Sequence, residues 1–149
     1  MLKYRKASID DIVQLMDLRK RQLLDEGIEP TIDIDMELRE FFRHKLSDGS
    51  LIQWLVEDEQ NIVACGAIVF YDFPPSYTNR SGKKGYICNM YKNENYRGQG
   101  IATQLLDKLV EEAKQLGVTR IWLGASKMGK PVYKKFGFIE SNEWLELNM

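Results

Sequence analysis

Two glycines one residue apart, Gly98 and Gly100, stand at the mouth of an apolar-striped segment in NENYRGQGIATQLLDKLVEEAKQLG, residues 93–117. Glycine reaches backbone angles closed to other residues and lets a chain approach a ligand closely. Where such a turn opens a helix, the free N–H groups of the first turn and the positive end of the helix dipole converge on an anion. The plainer alternative is a tight strand-to-helix turn that holds nothing. Spacing separates the phosphate ligands. A P-loop needs a Lys-Ser/Thr pair after its last glycine, and here Gly100 is followed by Ile101, Ala102 and Thr103. A dinucleotide fingerprint needs a third glycine where Thr103 stands and a carboxylate at the end of the next strand, and IWLGAS (121–126) offers none. What remains is an arginine ahead of the glycines, in Arg97-Gly98-Gln99-Gly100-Ile101-Ala102.

The elements that position this loop follow from periodicity and punctuation. LKYRKA (2–7) predicts a short strand. Ser8 with Asp11 three residues on has the spacing of a capping box. The helix behind it places Ile12, Leu15, Met16 and Leu23 on one face and ends near Gly27. Beyond Pro30 a second helix, 33–47, carries Met36, Leu38, Phe41, Phe42 and Leu46. Residues 50–73 read as two strands around a tight turn at Asp58–Asn61, residues 74–85 as a loop, and residues 86–93 as a third strand. The helix 100–116 shows an apolar stripe at Ile101, Leu105, Leu109, Ala113 and Leu116, closed by Gly117. A strand over 119–126, a short helix in GKPVYKKF (129–136) and a bent strand or strand pair over 137–149 complete the chain. The tight turn makes the middle antiparallel, whereas the unit 86–124 has the length of a β-α-β crossover and predicts a parallel pair. The expectation is one α/β (α+β) domain over 1–149 built on a mixed sheet.

Composition bounds the chemistry. At 149 residues, 44% hydrophobic and 29% charged, the chain has the make-up of a globular protein with a sizeable core. A formal net charge of -1 gives no broad electrostatic footprint for nucleic acid. No apolar run approaches the roughly 18 residues of a membrane span. The N-terminal MLKYRKASIDD has no apolar signal segment. Cys65 and Cys88 stand apart, and with His44 as the one histidine no metal cluster can be assembled, so no metal site is expected. Both cysteines read as reduced core residues of a cytoplasmic protein.

The segment Arg97–Ala102 fits the pattern [Q/R]xxGx[G/A] and resembles the acetyl-CoA loop of the GNAT N-acetyltransferase superfamily. CNMYKNENYRGQGIATQLLDKLVEEAKQLG resembles that family's strand–loop–helix block. GKPVYKKFGF (129–138) is similar to its C-terminal block, and YRKASIDDIVQLMDLRKRQL to its opening strand and helix. The resemblance covers nearly the whole chain. It implies the acyl-CoA N-acyltransferase fold, a mixed central sheet of about six to seven strands with helices on both faces. It implies acetyl-CoA as cofactor and transfer of its acetyl group to a primary amine of a small molecule or peptide by direct attack. Homodimers are common in the superfamily. The alternative is a non-catalytic acyl-CoA-binding sensor on the same fold.

Residue roles come with the resemblance. The backbone of Met90, Tyr91 and Lys92 pairs with the pantetheine arm, and an amide at Met90 polarises the thioester carbonyl. Arg97, Gly98, Gln99, Gly100, Ile101, Ala102 and Thr103 hold the pyrophosphate. Tyr133 is the acid that protonates the leaving thiolate. Ser126 stands where many members carry an asparagine, and bonds the pantetheine arm. The base departs from the family pattern. Many members carry a glutamate where this chain has Tyr86, and a phenol with a pKa of about 10 is a poor base at neutral pH. A water held by Asn89 or Tyr91, one of the carboxylates Glu143, Glu57 or Asp58, or His44 are the candidates. For the acceptor, the acidic group Asp25, Glu26, Glu29, Asp33 and Asp35 suits a cationic amine, and Arg19 and Arg21 suit a carboxylate. Phe73, Tyr77 and Trp54 are either pocket walls or packing residues.

Overall fold

A computed structural model describes residues 1–149. The strands are β1 (Leu2–Lys6), β2 (Leu51–Asp58), β3 (Asn61–Asp72), β4 (Lys83–Lys92) and β5 (Ile121–Leu123). The helices are α1 (Ile12–Asp25), α2 (Asp35–Asp48), α3 (Ile101–Gln115) and α4 (Lys130–Phe136). The five strands form one sheet in the order β1-β2-β3-β4-β5. The first four are antiparallel neighbours, and β4 pairs with β5 in parallel across α3, as the crossover length predicts.

Side-chain alternation sends the two faces of the sheet into two helix layers. Leu51 and Leu55 of β2 and Cys65 and Ala67 of β3 pack with Leu15 and Met16 of α1 and Phe42 of α2. On the other face Ile68 and Ile87 pack with Leu106, Leu109 and Ala113 of α3, and Val56 and Ala64 with Ile101 and Leu105. The expected stripe on α3 is buried from Ile101 to Ala113. Leu116 is the exception: it caps the helix and is exposed, ahead of Gly117 at φ 73°. The capping box at Ser8 is present. The Ser8 hydroxyl accepts from the Asp10 N–H, and Asp11 Oδ2 accepts from the Ser8 N–H at 2.7 Å.

Two expectations are corrected. The sheet has five strands, not six or seven, because residues 137–149 form no strand. A strand needs a paired neighbour, and the apolar residues of this tail, Leu145 and Leu147 among them, lie exposed instead. The strand expected over 119–126 shortens to the three residues that pair with β4, and Gly124, Ala125 and Ser126 leave the ladder as irregular chain ahead of a turn at 127–129.

Candidate active site

The site begins with an irregularity in β4. Ala67 of β3 pairs with Cys88, but Cys65 pairs with Tyr91, so Asn89 and Met90 together oppose the single residue Gly66. The extra residue is a β-bulge, and Asn89 takes it up with φ 54°. Alternation restarts across it. Tyr86 and Cys88 face the layer of α1 and α2 and Ile87 faces α3, whereas after the bulge Met90 faces α3 and Tyr91 faces α1. Asn89 itself is buried, and its side-chain amide donates to the buried Gln53 Oε1 at 3.5 Å. The Cys65 thiol donates to the Asn89 carbonyl at 3.2 Å.

The bulge also parts β4 from β5. Their pairing covers Gly85–Ile121, Tyr86–Trp122 and Ile87–Leu123 and then stops. Residues 88–92 therefore present a strand edge with no strand beside it, the arrangement in which an extended ligand can add main-chain hydrogen bonds.

That open edge runs directly into the glycine loop. Asn93 caps a short 3-10 turn, Glu94–Tyr96, by accepting from the Asn95 N–H at 3.0 Å. The Tyr96 hydroxyl donates to Asp58 Oδ2 at 2.6 Å and ties the loop to the end of β2. Gly98 and Gly100 lie at φ 78° and 75°, where a side chain is strained. The first helical bond of α3 is that of the Gln104 N–H to the Gly100 carbonyl, and the N–H groups of residues 98–103 have no acceptor within the protein. Lys92 and Arg97 flank this cradle. Burial, and secondarily the Arg97 charge, lower the Lys92 pKa, so two cations converge without a carboxylate between them. Free amides, a helix N-terminus and two cations are a donor set for a polyanion such as a pyrophosphate.

Tyr133 lies on α4, its ring packed edge-on against Phe138 at 6.1 Å between centroids. Burial, with a smaller contribution from Tyr86, pushes its phenol pKa up, so the hydroxyl keeps its proton through the neutral range. Ser126 opens α4. Its hydroxyl accepts from the Gly129 N–H at 3.1 Å and its carbonyl from the Lys130 N–H at 3.0 Å. Gly129 lets these groups meet, since a Cβ there would lie 2.9 Å from Tyr133 Cε2 and 3.3 Å from Ser126 Oγ.

On the face of α1 and α2, a groove of about 820 Å³ reaches down to Cys88 and Asn89. Its walls are mainly apolar and aromatic, and Arg19 and Glu37 are its charged residues. Phe73 and Tyr86 line it, Tyr86 resting against Trp122 at 4.5 Å between ring centroids. Burial raises the Cys88 thiol to about 11, so it is a neutral wall.

Other expected residues lie elsewhere. Trp54 faces α3 under Lys108 Nζ, 4.7 Å from its ring, and Tyr77 is fully exposed. Glu57 pairs with Arg5, Asp58 accepts from Tyr96, and exposed His44 sits 3.2 Å from Glu40. Glu143 lines a separate cleft between β5, α4 and the tail. The acidic residues from Asp25 to Asp35 are exposed and none lines the groove; Asp35 pairs with Lys20 at 2.8 Å. Of the two arginines, Arg19 lines the groove and Arg21 faces solvent. Spacing did not reveal Gly66 or the wall residue Trp122, and it named Asn89 as a water-holding candidate without revealing the bulge it sits on. A glycine inside a strand pattern, as in ACGAI, is the signal that could have found the first, since it marks a bulge or close approach.

The model of the acetyltransferase (GNAT) family matches residues 12–138. A predicted acetyltransferase from Clostridium acetobutylicum, solved with acetyl-CoA, is 56% identical, with 99% of this chain and 96% of that chain covered and a TM-score of 0.96. A GCN5-related N-acetyltransferase from Ralstonia eutropha is 23% identical with a TM-score of 0.85, 99% of each chain being covered. Glucosamine-6-phosphate N-acetyltransferase from Arabidopsis thaliana shares the fold at 22% identity and a TM-score of 0.73, with 100% of this chain and 97% of that one covered. Comparison with curated proteins finds no match. The matched segment spans the bulged strand, the glycine loop and Tyr133, and the chain belongs to the GNAT acetyltransferase family.

Proposed function

We propose that this protein transfers the acetyl group of acetyl-CoA to a primary amine by direct attack. The observation that carries the reading is the open β4 edge leading without a break into a loop of free N–H groups. An extended arm ending in a pyrophosphate matches both parts at once. The thioester of acetyl-CoA supplies an acyl group already activated for attack. The backbone of Met90, Tyr91 and Lys92 aligns the arm, and the Met90 N–H donates to the thioester carbonyl as negative charge builds there. Residues Arg97–Thr103 take the pyrophosphate, with Lys92 adjacent. Ser126, already tied to Gly129, offers its hydroxyl proton to the arm.

The amine enters through the groove and meets the bulge at Asn89. A water ordered by the Asn89 side chain takes the amine proton, the Gln53 contact fixing that side chain. Tyr133, held protonated by burial, gives its proton to the departing sulfur. The free cysteines, one buried and one half-buried, suit a reducing cytoplasm.

Thermal shift and thiol release test the reading together. Acetyl-CoA at 100 times its Kd stabilises the protein by about 2.7 kcal/mol, and ATP and NAD give no shift. An amine panel then releases free thiol from acetyl-CoA. No shift with any CoA ester would end the proposal, and a shift without thiol release from any amine would end its catalytic half.

A further inference from the structure

Arg19 is a half-buried cation on an aromatic wall with no anion to answer it. Its one hydrogen bond runs from Nη1 to Gln22 Oε1 at 3.1 Å. The next residue, Lys20, has its carboxylate in Asp35, whereas no acidic side chain pairs with Arg19. A guanidinium carries five N–H donors in a planar fork matched to a carboxylate, and four of Arg19's are unused. Glu37, on α2, is the groove's other charge and forms no ion pair either. The walls between them come from Phe41, Phe42, Phe73 and Trp122.

This charge pattern sorts the amines. A polyamine would bring several cations to a site whose one carboxylate is matched by an arginine. A phosphorylated amino sugar would bring a dianion and many hydroxyls to apolar walls that would leave those hydroxyls unpaired. The amino end of a peptide has no carboxylate close to its nitrogen. A free amino acid carries one charge of each sign and, with an apolar side chain, fills the rest of the groove.

We infer that the acceptor is a free amino acid with an apolar or aromatic side chain, its carboxylate held by Arg19 and its amine directed to the β4 bulge at Asn89. The inference rests on the acetyl-transfer reading above and names the substrate class of that site. Arg19 is its specificity determinant.

The test pairs each amino acid with its decarboxylated amine: L-phenylalanine with phenethylamine, L-leucine with isoamylamine, L-tryptophan with tryptamine. In thiol release, kcat/KM for the preferred amino acid exceeds that of its amine by about tenfold or more, mostly through KM. Arg19→Gln brings the ratio of kcat/KM for the amino acid to that for its decarboxylated amine down to about one, and keeps the wild-type Kd for acetyl-CoA. Calorimetry with the N-acetyl form of each amino acid reads the same contact without turnover. Wild type binds the preferred one and Arg19→Gln binds it about tenfold more weakly. Decarboxylated amines that match or beat their amino acids in the wild type overturn the inference. So does equal affinity of wild type and Arg19→Gln for every N-acetyl amino acid, or no binding by either. If no amine releases thiol but the N-acetyl amino acid still distinguishes the two proteins, the carboxylate site stands and the acetyl-transfer reading fails.

Discussion

Gly66 and Met90 meet across the β-bulge so closely that a Cβ on Gly66 would lie 2.5 Å from Met90 Sδ and 3.3 Å from Leu109 Cδ1. The glycine on β3 makes room for the residue whose amide is proposed to face the thioester. A constraint of that kind is set by packing beneath the site rather than by any ligand.

Gly66→Ala is therefore expected to press Met90 off its position. Overpacking of a filled core costs about 1–3 kcal/mol, read as a Tm lowered by several degrees. The KM for acetyl-CoA rises as the strand edge moves. Gly124→Ala is the control: its Cβ would meet only the Tyr86 hydroxyl, at an ordinary 3.5 Å. Wild-type KM in Gly66→Ala would detach this packing from cofactor binding.

Tyr133→Phe should lower kcat about a hundredfold, the usual lower bound for general acid catalysis, with KM for acetyl-CoA little changed. The raised phenol pKa fixes the sign of the pH profile. The acid form persists above pH 10, so Tyr133 contributes no falling limb to the wild-type kcat between pH 7 and 10. A variant with full kcat would assign the proton to another donor.

Removing Arg97 weakens the polyanion cradle. Arg97→Gln is expected to raise the Kd for acetyl-CoA about tenfold, the loss of one charge-assisted contact, and to flatten the dependence of log Kd on salt. A second sign follows from Lys92, whose pKa burial and Arg97 depress below 10.5. A bound anion favours its protonated form, so wild-type affinity falls as pH rises through that depressed pKa. Isothermal titration at several salt and pH values measures both effects.

Asp11 joins the capped 3-10 turn Ile9–Asp11, which leads into α1, to β1. Its carboxylate accepts two bonds from Arg5, at 2.8 and 2.9 Å, and one from the Ser8 N–H. The Arg5 bonds hold its pKa below the usual 3.8. A depressed pKa stabilises the fold above the unfolded value and stops doing so as pH falls through the folded one. Asp11→Asn should cost about 2 kcal/mol at pH 7, and its Tm should approach that of the wild type as pH falls below 3.8. A Tm gap that stays constant with pH would remove the ionic part of this account.

Local signals were the readable ones. The α3 stripe as far as Ala113, the capping box and the glycines at positive φ follow from periodicity and allowed backbone angles, and they hold in the structure. The loop was legible because its free amides need only glycine geometry. The bulge was not: asparagine tolerates positive φ better than most residues, but nothing in YICNMYK says that Asn89 uses that freedom, at φ 54°, inside a strand. Whether Trp54 lines the pocket or packs was not legible, because the face a strand residue takes depends on register, which comes from pairing with β1 and β3; it packs on the α3 side. Glu37 and Trp122 reach the groove only through the packing of α2 and β5, which no spacing encodes.

The three-residue ladder between β4 and β5 has a thermodynamic consequence. Three rungs join residues 119–149 to the sheet, and the packing of Ile121, Leu123, Val132, Tyr133, Phe136 and Phe138 against the α3 layer supplies the rest of their anchorage, so this segment is expected to open as a unit at lower free energy than the β1–β4 meander. Its amides would exchange with solvent early, while those of β2 and β3 wait for global unfolding. Tyr133 belongs to the part that opens, and Met90 to the part that does not. A ligand bridging them would slow exchange over the whole C-terminal fifth of the chain, well beyond the residues it touches.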